Sequence, residues 1–150
     1  MLSRIRARVI REIRDVVSSD DMRLAAVLCL LIGEHNALSI LLTKRAEHLN
    51  EHAGQMSFPG GKLEPRDKNV VDAALREAEE EIGLSSGGVE ILGFLSPVIT
   101  STQFHISPVV GYLSETPSFV MKKLKKNPIE VDKIIPQSGT NLQVGEAGDS

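Results

Sequence analysis

Runs of apolar residues along the chain predict two pairs of β-strands. Residues 24–32 and 37–43 are apolar runs of strand length, and Gly33-Glu34-His35-Asn36 between them is typical of a hairpin turn. Residues 89–95 and 105–113 form the second pair, and each alternates or runs apolar. With helical segments between and beside the strands, this order predicts an α+β fold in which helices cover a mixed sheet.

Between the two strand pairs, apolar residues at helical spacing predict an amphipathic helix that begins near Asn69. Val71, Leu75, Ala78 and Ile82 recur at i, i+4, i+7 and i+11 and form one narrow apolar stripe. The stripe indicates that one face of the helix is buried.

The opposite face of this helix carries glutamates. Glu77, Glu80 and Glu81 fall together on the helical wheel, and Gly83 is placed to end the helix in a left-handed cap. These carboxylates therefore lie near the negative end of the helix dipole, which disfavours each anion by ~0.3–1 kcal/mol. Because hard divalent cations take oxygen ligands from clustered carboxylates, we infer a Mg²⁺ or Mn²⁺ site. A solvated glutamate face is the alternative for such a run taken alone.

The residues around this helix resemble the Nudix box. The segment from Arg76 to Leu84 has every specified residue of the motif's second half: Arg-Glu, an apolar residue, any residue, Glu-Glu, any residue, Gly and an apolar residue. Before it, Gly60-Gly61 after Phe58-Pro59 is typical of a tight loop that leaves a strand. The resemblance implies a Nudix α/β/α sandwich and a hydrolase that uses a divalent metal ion.

The first half of the motif departs from the family pattern. Five residues separate Gly61 from Asp67, where the family has Glu, and eight rather than seven residues separate Asp67 from Arg76. A helix cannot absorb an insertion without turning its face by about 100°, so we expect the additional residue in the loop near Lys68-Asn69. Asp67 itself has two interpretations at this point, a role at the metal and helix N-capping.

A second, narrower resemblance is to the coenzyme A diphosphatase branch of the Nudix hydrolases. It rests on Leu41-Leu42-Thr43-Lys44-Arg45, Leu49, His52, Gly54-Gln55 and Ser57-Phe58-Pro59-Gly60-Gly61. That branch also carries the Asp and eight-residue variant of the box, and Ser107-Pro108-Val109-Val110-Gly111 is similar to its following strand. The resemblance implies coenzyme A or its derivatives as substrate, cleaved to phosphopantetheine and adenosine 3′,5′-bisphosphate.

Positive side chains stand close to the glycine pair in the sequence. Lys44, Arg45 and His52 are the predicted substrate-binding cations, together with Gly60 and Gly61, because positive charge beside a glycine-rich turn suits a polyphosphate. Solvent exposure at a strand end is the alternative for these side chains, and it is the favoured one for His52.

The resemblance also implies roles for the helix residues. Glu77, Glu80 and Glu81 are the predicted metal ligands, and Glu77 or Glu80 is predicted to orient or deprotonate the attacking water. Arg76 completes the predicted catalytic group by orienting a glutamate or the loop. A Nudix hydrolase of another nucleoside diphosphate compound and a non-catalytic nucleotide-binding module are the alternative functions.

Composition limits the chain to one small domain. Its 150 residues, 41% hydrophobic with a net charge of −3, allow a single core, which we place at residues 1–135, and do not imply a nucleic-acid partner. The lone Cys29 excludes an internal disulfide and fits a reducing compartment, so a cytoplasmic location is expected. No apolar run approaches the roughly 18 residues of a membrane span, so no membrane partner is expected.

The two ends of the chain differ in character. Residues 4–17 have apolar positions at helical spacing among arginines, and Glu12 and Asp15 argue against a mitochondrial presequence, so we expect an amphipathic helix that packs on the core. Residues 136–150 are polar and Gly-rich and predict a disordered tail. A C-terminus this short would leave one face of the sheet uncovered, and a homodimer would cover it.

Overall fold

The computed structural model describes residues 23–34, 37–48, 53–127 and 131–138. In these ranges the elements are β1 (Arg23–Glu34), β2 (Ala37–Arg45), β3 (Met56–Ser57), β4 (Gly60–Lys62), α1 (Val70–Ile82), a 3₁₀ turn (Ser86–Gly88), β5 (Glu90–Phe94), β6 (Val98–Ile99), β7 (Phe104–Leu113), α2 (Pro117–Lys123) and β8 (Val131–Ser138). The predicted N-terminal helix at 4–17, His52 and residues 139–150 lie outside the described residues.

The strands form one mixed sheet, as predicted. Its main path runs β3-β2-β1-β7-β5, with β1 and β7 parallel and the other neighbours antiparallel. Three further strands pair beside this path, β4 with β1, β6 with β7 and β8 with β2. Since β1 pairs with β2 at its end and with β4 near its start, it organises the sheet around the candidate site.

The glycine pair belongs to a strand, so the predicted tight loop at Gly60-Gly61 is wrong. Both glycines pair antiparallel with β1, Gly60 opposite Val27 and Gly61 opposite Ala26. A Cβ on Gly60 would collide with Ala26 O and lie 2.7 Å from Val27 Cα. Glycine is needed here because two backbones approach closely, which is one of the recognised reasons for glycine inside a strand.

Helix α1 has the ends that the sequence predicts. Asn69 is the N-cap, and its side-chain oxygen accepts a hydrogen bond from the N–H of Asp72. Gly83 ends the helix in the left-handed region with φ 70°. The predicted apolar stripe is only partly right: Val71 and Leu75 are half-buried. The face against the sheet is built instead from Val70, Ala73, Ala74, Ala78 and Ile82, whose three alanines let the helix lie close to the sheet.

The C-terminal strand passes the boundary placed at residue 135. β8 continues to Ser138 because its backbone pairs along most of β2, from Val131 opposite Arg45 to Ser138 opposite Ser39. Because the pairing is this long, it keeps residues 136–138 in the sheet, although their polar composition alone does not favour a strand. The homodimer stays a prediction.

The core has two parts, one on each face of the sheet. The larger part, on the helix side, includes Leu28, Leu30 and Ile82, all fully buried. The smaller part, on the other face, includes Cys29 and Tyr112, whose hydroxyl donates to Gly33 O at 2.6 Å. Burial raises the pKa of the Cys29 thiol to about 12, so it is a packing residue and not a nucleophile. None of the helices in the described ranges has the length and apolar character that crossing a bilayer requires.

Candidate functional site

The candidate site is organised around the guanidinium of Arg76, on the side of α1 that faces the loop after β4. Its Nε and Nη2 donate to the two oxygens of Asp67, each at 2.9 Å. This bidentate pair is well shielded, since 14% of the Arg76 side chain and 3% of the Asp67 side chain are exposed. The hydrogen bond from Arg76 holds the pKa of the Asp67 carboxyl below its usual value, so Asp67 is ionised at neutral pH.

Asp67 is therefore not the helix cap. Its side chain is fully engaged by Arg76 and by the Glu64 N–H, which donates to Oδ2 at 2.8 Å, and Asn69 caps the helix instead. The N-capping interpretation of Asp67 is wrong for this reason. The additional residue of the motif does lie before the helix, as expected, because α1 begins only at Val70.

Three carboxylates meet beside Arg76. Oxygen atoms of Glu64, Glu77 and Glu80 lie within 4.8 Å of one another. Arg76 Nη1 is 3.0 Å from Glu64 Oε2, 2.8 Å from Glu77 Oε1 and 3.3 Å from Glu80 Oε2. Arg66 joins from the loop, at 3.1 Å from both Glu64 Oε1 and Glu80 Oε1. We call Glu64, Glu77 and Glu80 the carboxylate cluster.

Glu81 occupies a different position from the other two predicted ligands. It is buried, and its Oε2 accepts a hydrogen bond from the Gly60 N–H at 2.8 Å. This bond ties the last turn of α1 to the outer edge of β4. We expected Glu81 to converge with Glu77 and Glu80. In the described part of the chain, Glu64 is instead the third member of the cluster. A metal-binding role for Glu81 stays a prediction.

Glu77 has the strongly perturbed carboxyl of the cluster. Burial raises its pKa from 4.5 to about 7, and a hydrogen bond with Glu80 adds to the rise, against the opposing effect of Arg76. Gly61 provides the space for this side chain, since a Cβ there would overlap Glu77 Oε2. A carboxyl that titrates near neutral pH can accept or release a proton under ordinary conditions.

The fold places the predicted substrate-binding residues in two separate groups. Gly60 and Gly61 contact the acidic residues of α1 through Glu81 and Glu77. Lys44 and Arg45 end β2, where Lys44 Nζ lies 3.3 Å from Glu47 Oε1 and the Arg45 N–H donates to Gln55 O at 2.9 Å. Contact of Lys44, Arg45 and His52 with a substrate stays a prediction.

Sequence reasoning missed Glu64, because the helical wheel places only residues of the helix. Glu64 lies in the loop between β4 and α1, and it reaches the cluster through its ion pairs with Arg66 and Arg76. The sequence gives one indication of this role: Glu64 lies three residues after Gly61 and three before Asp67, in the part of the Nudix box that precedes the helix.

Two comparisons identify the family of the chain. Residues 22–133, more than half of the chain, match the NUDIX domain. A protein named uncharacterized Nudix hydrolase NudL from Yersinia pestis is 47% identical over 89 residues, which are 59% of this chain and 44% of that protein. Its counterpart from Yersinia enterocolitica is 44% identical over 81 residues, 54% of this chain and 42% of that protein. The chain thus spans less than half the length of these curated relatives.

Solved structures agree on the fold. An Ap4A hydrolase from C. elegans superposes with a TM-score of 0.63 at 15% identity, covering 84% of this chain and 86% of that one. The Nudix hydrolase RenU from M. smegmatis gives 0.60 at 22% identity, over 75% and 68% of the two chains. The NUDIX domain of Shewanella oneidensis NrtR, in complex with ADP ribose, gives 0.56 at 16% identity, over 79% and 74%. With its matched residues, its α+β sandwich and its box residues on α1, the chain belongs to the NUDIX family.

Proposed function

We propose that this chain hydrolyses a diphosphate linkage with the help of a divalent metal ion, and that its substrate is coenzyme A or a derivative. The observation that carries the proposal is the carboxylate cluster: three carboxylates with oxygens within 4.8 Å of one another, beside a shielded arginine. Arg66 and Arg76 offset part of this crowding of like charges, and a divalent cation or a proton would offset the rest.

The donor set fits Mg²⁺ or Mn²⁺. Hard divalent cations of this size prefer carboxylate oxygens, and the described cluster offers one such oxygen from each of Glu64, Glu77 and Glu80. These three residues would hold the ion, with Glu81 as the additional ligand that the sequence predicts. A bound ion supplies positive charge that polarises the diphosphate and neutralises charge that develops during hydrolysis.

The protein groups have separable tasks in this proposal. Arg76 keeps Glu77 in place by a 2.8 Å hydrogen bond and anchors the loop through Asp67 and through Lys62 O, to which Nη2 donates at 3.2 Å. The pKa of Glu77 in the metal-free protein is about 7; with one oxygen on the ion, its other oxygen would accept the proton of an attacking water. Glu80 is the most exposed α1 residue of the cluster, so its carboxylate is accessible from solvent.

The choice of coenzyme A rests on the narrower motif that ends in β4. Its final residues, Ser57-Phe58-Pro59-Gly60-Gly61, lead directly to the glycines that contact Glu77 and Glu81. Asp67, the residue that stands in place of Glu in this branch's variant of the box, accepts hydrogen bonds from Arg76 through both of its carboxylate oxygens. The two features that support the substrate class thus lie at the two edges of the carboxylate cluster.

The test is to incubate the purified protein with coenzyme A and excess Mg²⁺ or Mn²⁺, or with a chelator, and to measure adenosine 3′,5′-bisphosphate by chromatography. We expect product only when the ion is present. Glu80→Gln should lower the rate by about 10- to 100-fold, since it replaces a charged carboxylate ligand by a neutral amide of the same shape. Glu79→Gln is the matched control, because Glu79 is exposed on the same helix outside the cluster.

Other results would redirect the proposal. A wild-type rate for Glu80→Gln, or equal rates with and without a chelator, would contradict the metal assignment. Turnover of ADP-ribose or of a dinucleotide polyphosphate, the ligand and substrate classes named for two structural neighbours, with none of coenzyme A would replace the substrate. Nucleotide binding without turnover of any of these compounds would support a binding module instead.

A further inference from the structure

Two cationic side chains, one of them in β4, converge on one aromatic ring. Arg23 Cζ lies 5.4 Å, and Lys62 Nζ 5.6 Å, from the centroid of the Phe104 ring. Both cations are exposed, and Phe104 is half-buried. We call Arg23 and Lys62 the cation pair.

The sheet register explains this convergence. Arg23 pairs with Phe104 across β1 and β7, and Lys62 pairs with Ala25 across β4 and β1. Because side chains alternate along a strand and neighbours across strands share a face, all four side chains lie on one face of the sheet. Ala25 is small, so the long Lys62 side chain can pass over it toward the ring on β7.

Among the described residues, the cation pair lacks the carboxylate partners that Arg66, Arg76 and Lys123 have. Arg66, Arg76 and Lys123 each lie within 3.3 Å of carboxylate oxygens. In the described ranges, neither Arg23 nor Lys62 has a carboxylate within ion-pair distance. Cation–π contact holds each side chain against the ring but leaves its N–H groups free to donate. Two uncompensated cations at one exposed position attract an anion.

β4 connects the cation pair to the carboxylate cluster. Gly61, whose Cβ would overlap the Glu77 carboxylate, faces α1, and the next residue, Lys62, turns its side chain to the opposite face. Lys62 O still accepts the hydrogen bond from Arg76 at the edge of this short strand. An extended substrate whose diphosphate lies at the cluster would have to pass the end of β4 for a second anionic group to meet the cation pair.

We propose that Arg23 and Lys62 bind a second phosphate of the substrate, one that is not cleaved, and that Phe104 fixes both cations for this purpose. This inference rests on the proposed function, under which the second phosphate is the ribose 3′-phosphate of coenzyme A. The cation pair then selects coenzyme A over nucleoside diphosphate compounds that lack this group, because an arginine and a lysine together complement a phosphate dianion.

The kinetic test compares kcat/KM for coenzyme A and for 3′-dephospho-coenzyme A at one ionic strength. The wild type should prefer coenzyme A by about tenfold or more, and Arg23→Gln and Lys62→Gln should each reduce this preference by about 3- to 10-fold, mainly through KM. Lys122→Gln, an exposed lysine on α2, controls for the loss of one positive charge. Equal losses with both substrates, or no preference in the wild type, would overturn the inference.

A binding test separates this inference from the proposed hydrolysis. Calorimetry with adenosine 3′,5′-bisphosphate and with adenosine 5′-monophosphate needs no turnover. Tighter binding of the bisphosphate, lost in the Arg23→Gln and Lys62→Gln proteins, would support the second phosphate site even if no substrate is cleaved. Equal affinity for the two nucleotides would overturn it even if coenzyme A is hydrolysed.

Discussion

Replacing Glu77 by Gln should make the metal-free protein more stable above pH 7 while weakening its response to metal. Burial raises the pKa of Glu77 from 4.5 to about 7 in the folded protein. A carboxyl with a raised pKa binds its proton more tightly in the folded state than in the unfolded state. Its contribution to stability is therefore complete below pH 4.5 and is lost as the pH rises through 7.

The size of this effect follows from the shift. Each pKa unit corresponds to ~1.4 kcal/mol, so the rise gives a loss of at most about 3 kcal/mol between pH 4.5 and pH 8. The value of about 7 already includes the opposing interaction with Arg76, so Gln, which stands in for the neutral carboxyl, should recover most of this loss. Its amide NH₂ replaces the carboxyl O–H with a different hydrogen-bonding geometry, which reduces the expected gain by about 1–2 kcal/mol. We expect Glu77→Gln to raise the free energy of unfolding by about 1–2 kcal/mol at pH 8 and to change it little at pH 5.

The assay is urea denaturation of both proteins in chelator at several pH values from 5 to 8.5. Taking the difference between the two proteins cancels the pH effects that they share. Thermal unfolding with Mg²⁺ or Mn²⁺ then gives the second half of the prediction, since only the wild type should gain substantially in Tm. Glu79→Gln, outside the cluster, serves as the control in both measurements. A Glu77→Gln protein less stable than wild type at pH 8, or a difference independent of pH, would refute the reasoning.

Two further substitutions test the parts that hold the cluster. Gly61→Ala places a Cβ on the Glu77 carboxylate and should lower metal-dependent turnover by about 10- to 100-fold. Gly87→Ala is the control and should leave turnover unchanged, because the nearest atom to its Cβ would be 3.8 Å away. Equal turnover rates for the Gly61→Ala protein and the wild type would show that Glu77 can move aside. Asp67→Asn should lower the free energy of unfolding by about 2–3 kcal/mol at pH 7. Because the pKa of Asp67 is lowered from 3.8, its contribution is present above that pH and is lost as the pH falls further, so urea denaturation at pH 7 and pH 3 should show the difference shrink.

Local rules predicted most of what the helix does. The apolar period located α1, and Gly83 marked its end, because a left-handed cap is a property of a few adjacent residues. The long strands were equally visible, since each is an apolar run bounded by polar residues. The presence of acidic residues at one end of the helix also followed from the spacing of Glu77 and Glu80 alone.

Features that depend on distant contacts could not be predicted in the same way. β4 is three residues long and carries two glycines, so only its pairing with β1 makes it a strand. The buried position of Glu81 depends on the Gly60 N–H, 21 residues away in sequence. The approach of Lys62 to Phe104 depends on strand register across β1, which no local pattern encodes.

The ionised groups around Arg76 do not balance in charge. The ion pairs join four carboxylates, those of Glu64, Asp67, Glu77 and Glu80, to the guanidiniums of Arg66 and Arg76. With every group ionised this constellation keeps two uncompensated negative charges, which one divalent cation would cancel and one monovalent cation would not. Burial, with a smaller contribution from Glu80, raises the pKa of Glu77 to about 7, and a proton taken up there removes half of the excess negative charge. Protons and divalent cations should therefore compete for these carboxylates, and which of them is bound would depend on the pH of the solution.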